Sequence, residues 1–213
     1  TRAALGKIDW KKEGLTLKEV AAAVTPVWQG SDPGPQTAAV EGAPPLVPQP
    51  KTLTMGKGVL TLGQDSPIVA TSKELEPLAK VLADEIFLAT GVRLAGGFRP
   101  GAPGGVLLQF DPELKGEAYT VEIKESATVK GGSYLSVASG TATLLQLLRT
   151  TNGALTVPQV SIADAPAYPY RGALIDLARK YHSPGGIEQV IELCRLYKIR
   201  YLHLHLTDDQ LFM

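Results

Sequence analysis

Residues 119–124 alternate cleanly, with Tyr119, Val121 and Ile123 separated by Thr120, Glu122 and Lys124. That period of two predicts a strand with one buried face. Shorter apolar runs at residues 59–62, 67–70, 105–110 and 127–130 are further strand candidates, and residues 134–138 are expected to continue the sheet. Between residues 72 and 91 the period changes. Leu75, Leu78, Val81, Leu82 and Ile86 recur at helical spacing, Ser72 stands where an N-cap would, and Gly91 supplies the stop. A second helix is expected from about Thr141 to Arg149, with Leu144, Leu145, Leu147 and Leu148 on a wide apolar face. Residues 51–165 therefore predict a small α/β sheet domain with both helices on one face. Nothing in it concentrates titratable groups, which is the pattern of a supporting domain.

Residues 166–213 read differently. Residues 172–177 form a near-continuous apolar run, as expected of a parallel strand covered on both sides. Ser183-Pro184 then offers an N-cap followed by proline at the first helical position. Ile187, Val190, Ile191, Cys194 and Tyr197 make one apolar stripe, with Glu188, Glu192, Arg195 and Lys198 off it, so Cys194 reads as a small core residue. Residues 201–206 alternate again: Leu202, Leu204 and Leu206 share one face, and Tyr201, His203 and His205 the other. A strand–helix–strand unit of this length predicts a right-handed parallel crossover. It is how a (β/α)8 barrel begins, and only this first β-α-β falls within the chain.

Residues 1–50 lack such periodicity. Thr16 and Glu19 fit a capping box for one short helix ending before Pro26. Pro- and Gly-rich segments at 30–35 and 42–45, closed by Pro48 and Pro50, predict turns and extended linker. The chain opens on Thr1 with neither initiator methionine nor signal peptide, which predicts a processed or trimmed product.

Composition narrows the function classes. Lys+Arg and Asp+Glu both number 21, so no basic field is expected to gather nucleic acid or anionic membrane. No apolar run approaches the roughly 18 residues of a membrane span. The single Cys194 cannot form an internal disulfide.

The chemistry is expected at one edge of the terminal unit. Arg179 lies two residues past the first strand and Asp208 two past the second, so in a parallel pair both emerge at the C-terminal edge. Barrel enzymes place their sites there. An arginine and carboxylates converging at that edge could hold a neutral, hydroxyl-rich ligand through charge-assisted hydrogen bonds. The same residues could equally form an ion pair that only joins two loops.

Residues 170–179 (YRGALIDLAR) and 196–210 (LYKIRYLHLHLTDDQ) resemble the opening of the catalytic barrel of glycoside hydrolase family 20, the β-N-acetylhexosaminidases. The strand-one arginine, the His-x-His and the following Asp-Asp-Gln carry the resemblance. Upstream, residues 46–50 (LVPQP) and 140–148 are similar to parts of the family's small non-catalytic α/β domain. The resemblance implies that Arg179 hydrogen-bonds the ring hydroxyls of a terminal N-acetylhexosamine. It implies that Asp208 orients a histidine from later in the barrel, which contacts the acid/base glutamate. Asp209 and Gln210 are given structural roles at the strand end, His203 and His205 are expected to fill the barrel interior with hydrogen-bonded side chains, and Arg171 is expected to serve packing. Lys180 stands where a histidine commonly follows the arginine, and Leu211-Phe212 where Gly-Trp is frequent.

The family's mechanism is substrate-assisted retention, an exception to the two-carboxylate scheme. The substrate's 2-acetamido carbonyl attacks the anomeric carbon, while an adjacent Asp-Glu pair on the fourth strand steadies it and moves the proton. That pair is not among these 213 residues, so the chain is expected to hold substrate-binding residues and no catalytic ones, and to be inactive alone. No cofactor or metal is implied. The implied partners are an N-acetylhexosamine-containing glycan and the remainder of the enzyme, and the implied location is extracellular or periplasmic. Two other readings stand beside this one. His203 and His205 resemble the paired histidines of metal-dependent amidohydrolases, and a non-catalytic N-acetylglucosamine-binding or assembly fragment would use the same edge.

Overall fold

The computed structural model describes residues 42, 44–63, 65–99, 101, 105–151 and 154–209. The chain divides into two compact units, residues 1–36 and 37–213, and the described residues belong to the second. The expected helix beginning near Thr16, together with Gln210, Leu211 and Phe212, lies outside the described residues.

Alternation builds an eight-stranded mixed sheet: β1 (Thr52–Leu62), β2 (Ile68–Ala70), β3 (Gly96–Phe98), β4 (Val106–Phe110), β5 (Tyr119–Ile123), β6 (Ala127–Gly131), β7 (Arg149–Thr151) and β8 (Ala154–Asp164). Their order is β1-β8-β5-β6-β4-β2-β3, with β7 on β8. Strands β3, β2, β4 and β6 run parallel, whereas β5, β8, β1 and β7 pair antiparallel. In β5, Tyr119, Val121 and Ile123 are buried while Glu122 is exposed. One face is thus apolar, and two helices cover it.

Helix α1 (Glu76–Thr90) is preceded by a 3-10 turn that Ser72 caps, its hydroxyl accepting from Glu74 N, and it ends on Gly91 at φ 74°, a left-handed conformation that glycine adopts without steric cost. Leu75, Leu78, Leu82 and Ile86 are buried as their spacing predicts, but Val81 is exposed. Helix α2 (Tyr134–Leu147) packs over β4, β5 and β6, α1 packs over β2 and β3, and the two helices touch.

Residues 134–138 are helix rather than strand. Ser133 and Ser136 form a reciprocal capping box that satisfies two otherwise orphaned amides. That local cap and the burial of Val137, Ala142, Leu144 and Leu147 override the strand-like composition. The long strand β8 was not expected from the sequence, because Pro158 interrupts its alternation.

A second, two-stranded sheet follows, made of β9 (Gly172–Asp176) and β10 (Tyr201–His205), joined through α3 (Pro184–Leu196). The strands are parallel, with Gly172 opposite Tyr201 and Asp176 opposite His205. Ser183 caps α3 by accepting from Gly186 N at 3.2 Å, and α3 packs on α2. Coverage of β9 on both faces is not observed. Ile175 and Leu177 are buried, whereas Leu174 is 57% exposed on the opposite side. The stripe on α3 is likewise half open: Cys194 is only half-buried and Ile191 is exposed. The described part of the protein is a mixed α/β fold.

Candidate functional site

Parallel pairing brings the last residues of β9 and β10 side by side, since Asp176 and His205 are register partners. The chain leaving β9 is pinned there, with Leu177 N and Ala178 N both donating to the His205 carbonyl at 2.9 and 3.1 Å. Asp176 then shapes the turn, its Oδ1 accepting from Arg179 N at 3.0 Å. Arg179 and Asp208 therefore meet at one edge. Arg179 Nε donates to Asp208 Oδ2 at 2.6 Å and lies 3.4 Å from Asp176 Oδ2.

The electrostatics fix protonation. Asp209, whose backbone amide donates to it at 2.7 Å, and the Arg179 guanidinium hold the Asp208 carboxyl well below the usual carboxylate range. The Asp208 hydrogen bond and charge, with Asp176 beside it, raise the Arg179 pKa further. Both groups are therefore ionised at neutral pH. Only Nε of Arg179 is engaged among the described residues, and its side chain is 64% exposed. Its two Nη groups thus retain four N–H donors in a planar fork, suited to paired oxygens on a ligand. The expected ion pair forms, and it leaves most of the donor capacity free.

His205 sits under this pair. Its Nε2 is 3.5 Å from Asp208 Oδ2, is shielded from solvent, and makes no hydrogen bond among the described residues. His203 is exposed. Among the described residues no three or more His, Cys, Asp or Glu side chains gather as a metal-binding group.

Two features escaped the sequence reading. Asp176 sits inside an apolar run and looks like a strand-interior position, yet its carboxylate shapes the Arg179 turn; an acid closing such a run was the available signal. Arg171 does more than pack. Its Nη2 meets Glu117 Oε2 at 2.6 Å, and its Nε and Nη1 donate to the carbonyls of Lys198 and Tyr168 at 2.9 and 2.8 Å. Arg200 Nη1 reaches the other oxygen of Glu117 at 2.7 Å. These residues lie at the opposite, N-terminal edge of β9 and β10.

Known proteins share both the sequence and the geometry. The profile for glycosyl hydrolase family 20, domain 2, matches residues 43–165, and that for the glycosyl hydrolase family 20 catalytic domain matches residues 168–213. A beta-hexosaminidase of Porphyromonas gingivalis is 32% identical over 177 residues, which is 78% of this chain and 23% of that protein. A beta-N-acetylhexosaminidase of Cellulomonas fimi is 31% identical over 175 residues, 78% of this chain and 35% of its own length. Among solved structures, the family 20 exo beta-N-acetylglucosaminidase of Vibrio harveyi in complex with N-acetylglucosamine superposes with a TM-score of 0.74 at 28% identity, over 83% of this chain and 28% of the other. The family 20 beta-N-acetylhexosaminidase of Streptomyces coelicolor gives 0.71 at 28% identity, over 78% and 35%. The chain thus spans about a quarter to a third of the length of these relatives. One profile covers the sheet with α1 and α2, and the other begins just before β9 and includes the Arg179–Asp208 edge. The chain belongs to glycoside hydrolase family 20.

Proposed function

We propose that the complete protein containing this chain is a β-N-acetylhexosaminidase, removing terminal non-reducing N-acetylhexosamine by substrate-assisted retention. The observation that carries this reading is the Arg179–Asp208 pair at the C-terminal edge of two parallel strands, within the stretch matched by the family's catalytic profile. Arg179 holds the sugar hydroxyls with its free Nη donors. Asp208 fixes the guanidinium and is placed to orient a further side chain toward the reacting bond. The acetamido group of the substrate supplies the nucleophile, and the acid/base pair comes from outside these residues.

In this reading residues 166–213 are the first β-α-β of a (β/α)8 barrel and residues 51–165 the non-catalytic sheet domain. The exposed apolar positions of β9, α3 and β10, Leu174, Ile191 and Leu204 among them, support it, because later strands and helices would bury them. A glycan is the partner and the location is extracellular or periplasmic. The test compares two chromogenic substrates on the complete protein. A β-N-acetylglucosaminide should be hydrolysed and the matching β-glucoside, which lacks the acetamido nucleophile, should not. Equal turnover of both, or binding of N-acetylglucosamine with no turnover, contradicts the proposal.

A further inference from the structure

The N-terminal edge of β9 and β10 holds a buried ammonium that the sugar site does not use. Lys198 is 9% exposed, and among the described residues it is the one charged side chain buried to that extent. It follows α3 in a left-handed conformation, φ 60°, while Ile199 N closes back onto the Cys194 carbonyl at 2.8 Å and Tyr197 N onto that of Leu193 at 2.9 Å. Glycine is the usual residue at such a helix end. A side chain with a Cβ costs about 1–2 kcal/mol there, and burying an ammonium adds a second cost. Both fall on one residue.

What the side chain reaches explains the choice. Lys198 Nζ donates to Tyr119 Oη at 2.9 Å and lies 3.9 Å from Asp164 Oδ2. Tyr119 O–H donates to the same Asp164 oxygen at 2.5 Å, and Thr143 of α2 joins at 2.8 Å. Tyr119 starts β5 and Asp164 ends β8, so the socket belongs to the eight-stranded sheet. The Lys198 carbonyl meanwhile accepts from Arg171 Nε, immediately before β9.

We propose that Lys198 is the docking residue between the two sheets, a charged pin seated in the Tyr119–Asp164 socket that ties the bases of β9 and β10 to the supporting domain. A buried charge of this kind contributes more to a single relative placement than to net stability. Removing one partner leaves the other charge buried and uncompensated. The charged and titratable groups around the pin are Tyr119, Asp164 and Arg171, with Glu117 and Arg200 completing the Arg171 cluster. Arg195, which joins α3 to Glu85 of α1 and to Thr141 of α2, is a separate contact.

The inference does not depend on which sugar occupies the site, and its test reads structure rather than turnover. Hydrogen exchange at neutral pH on the intact protein would follow β9 and β10 amides in wild type, Lys198→Met, Asp164→Asn and the double variant. The expected result is a loss of protection of about tenfold in β9 and β10 for each single variant, with α1 and β2 unchanged, and no further loss in the double. Lys198→Gly serves as the control that keeps the left-handed backbone without strain, and it should lose protection as the methionine variant does. Less than a threefold loss, a loss spread equally over α1 and β2, multiplicative losses in the double variant, or a glycine variant as protected as wild type would each overturn the proposal.

Discussion

At the residue scale, the Arg179 guanidinium gives its Nε–H to Asp208 and keeps its Nη donors for a ligand. Asp208 is itself held by the Asp209 amide, so the fork is oriented before any sugar arrives. Asp208→Asn retains the shape but removes the charge that fixes Arg179. A charge-assisted bond is roughly twice as strong as a neutral one, so kcat/KM of the complete enzyme should fall about 10-fold or more, with KM rising. Steady-state kinetics on an N-acetylglucosaminide check this, and an unchanged kcat/KM contradicts it. Arg179 and Asp208 were legible in the sequence because each follows a strand whose end the apolar pattern marks, and parallel pairing leaves them one shared edge. Arg171 and Lys198 were not. Their partners Tyr119 and Asp164 lie in another sheet and Glu117 in the turn before β5, and no local spacing connects residues about 35 to 80 positions apart.

At the scale of elements, α2 shows what periodicity alone misjudges. Half of its 14 residues are Tyr, Ser, Val, Gly or Thr, all poorer helix formers than Ala or Leu. The helix exists because Ser133 caps it and the sheet buries its lower face. Gly140 marks the closest approach. A Cβ there would stand 2.5 Å from Val129 Cγ1 and 3.1 Å from Tyr119 Cδ2. Gly140→Ala gains roughly 0.5–1 kcal/mol in helix preference, while overpacking a tight contact costs about 1–3 kcal/mol. The contact wins, and the variant should lose about 1 kcal/mol in thermal or denaturant unfolding; a more stable variant contradicts this packing. Strand β8 was hidden for a related reason. Pro158 lacks an amide donor and belongs where a ladder is irregular, and the β1–β8 register shifts between Met55 and Val59, the latter opposite Pro158. Strong alternation at β5 and β10, by contrast, located both strands directly.

At the scale of the whole molecule, the two sheets meet through charge, and the meeting point has a pH signature. Burial pulls the Lys198 pKa down to about 8, an effect that Asp164 partly opposes and Arg171 reinforces. An unfolded lysine titrates near 10.4. Between these values the folded protein carries fewer protons than the unfolded chain, so the contribution of this residue to stability rises with pH rather than falling. From pH 7.5 to 9.5 the gain is about 2 kcal/mol. Tyr119, whose pKa burial and Asp164 push above its usual value, opposes this only once free tyrosine ionises near pH 10. Unfolding of wild type and Lys198→Met at the two pH values should therefore diverge in favour of wild type at the higher one, and parallel curves would contradict the linkage. The central claim concerns the other edge, where the family's catalytic profile and the Arg179–Asp208 pair coincide. Its most direct test is kcat/KM of the complete protein for a chromogenic N-acetyl-β-glucosaminide, measured for wild type and Arg179→Ala. The account predicts activity in wild type and a loss of about 100-fold or more in the variant, since several charge-assisted bonds to the sugar disappear together; equal kcat/KM in the two proteins would contradict it.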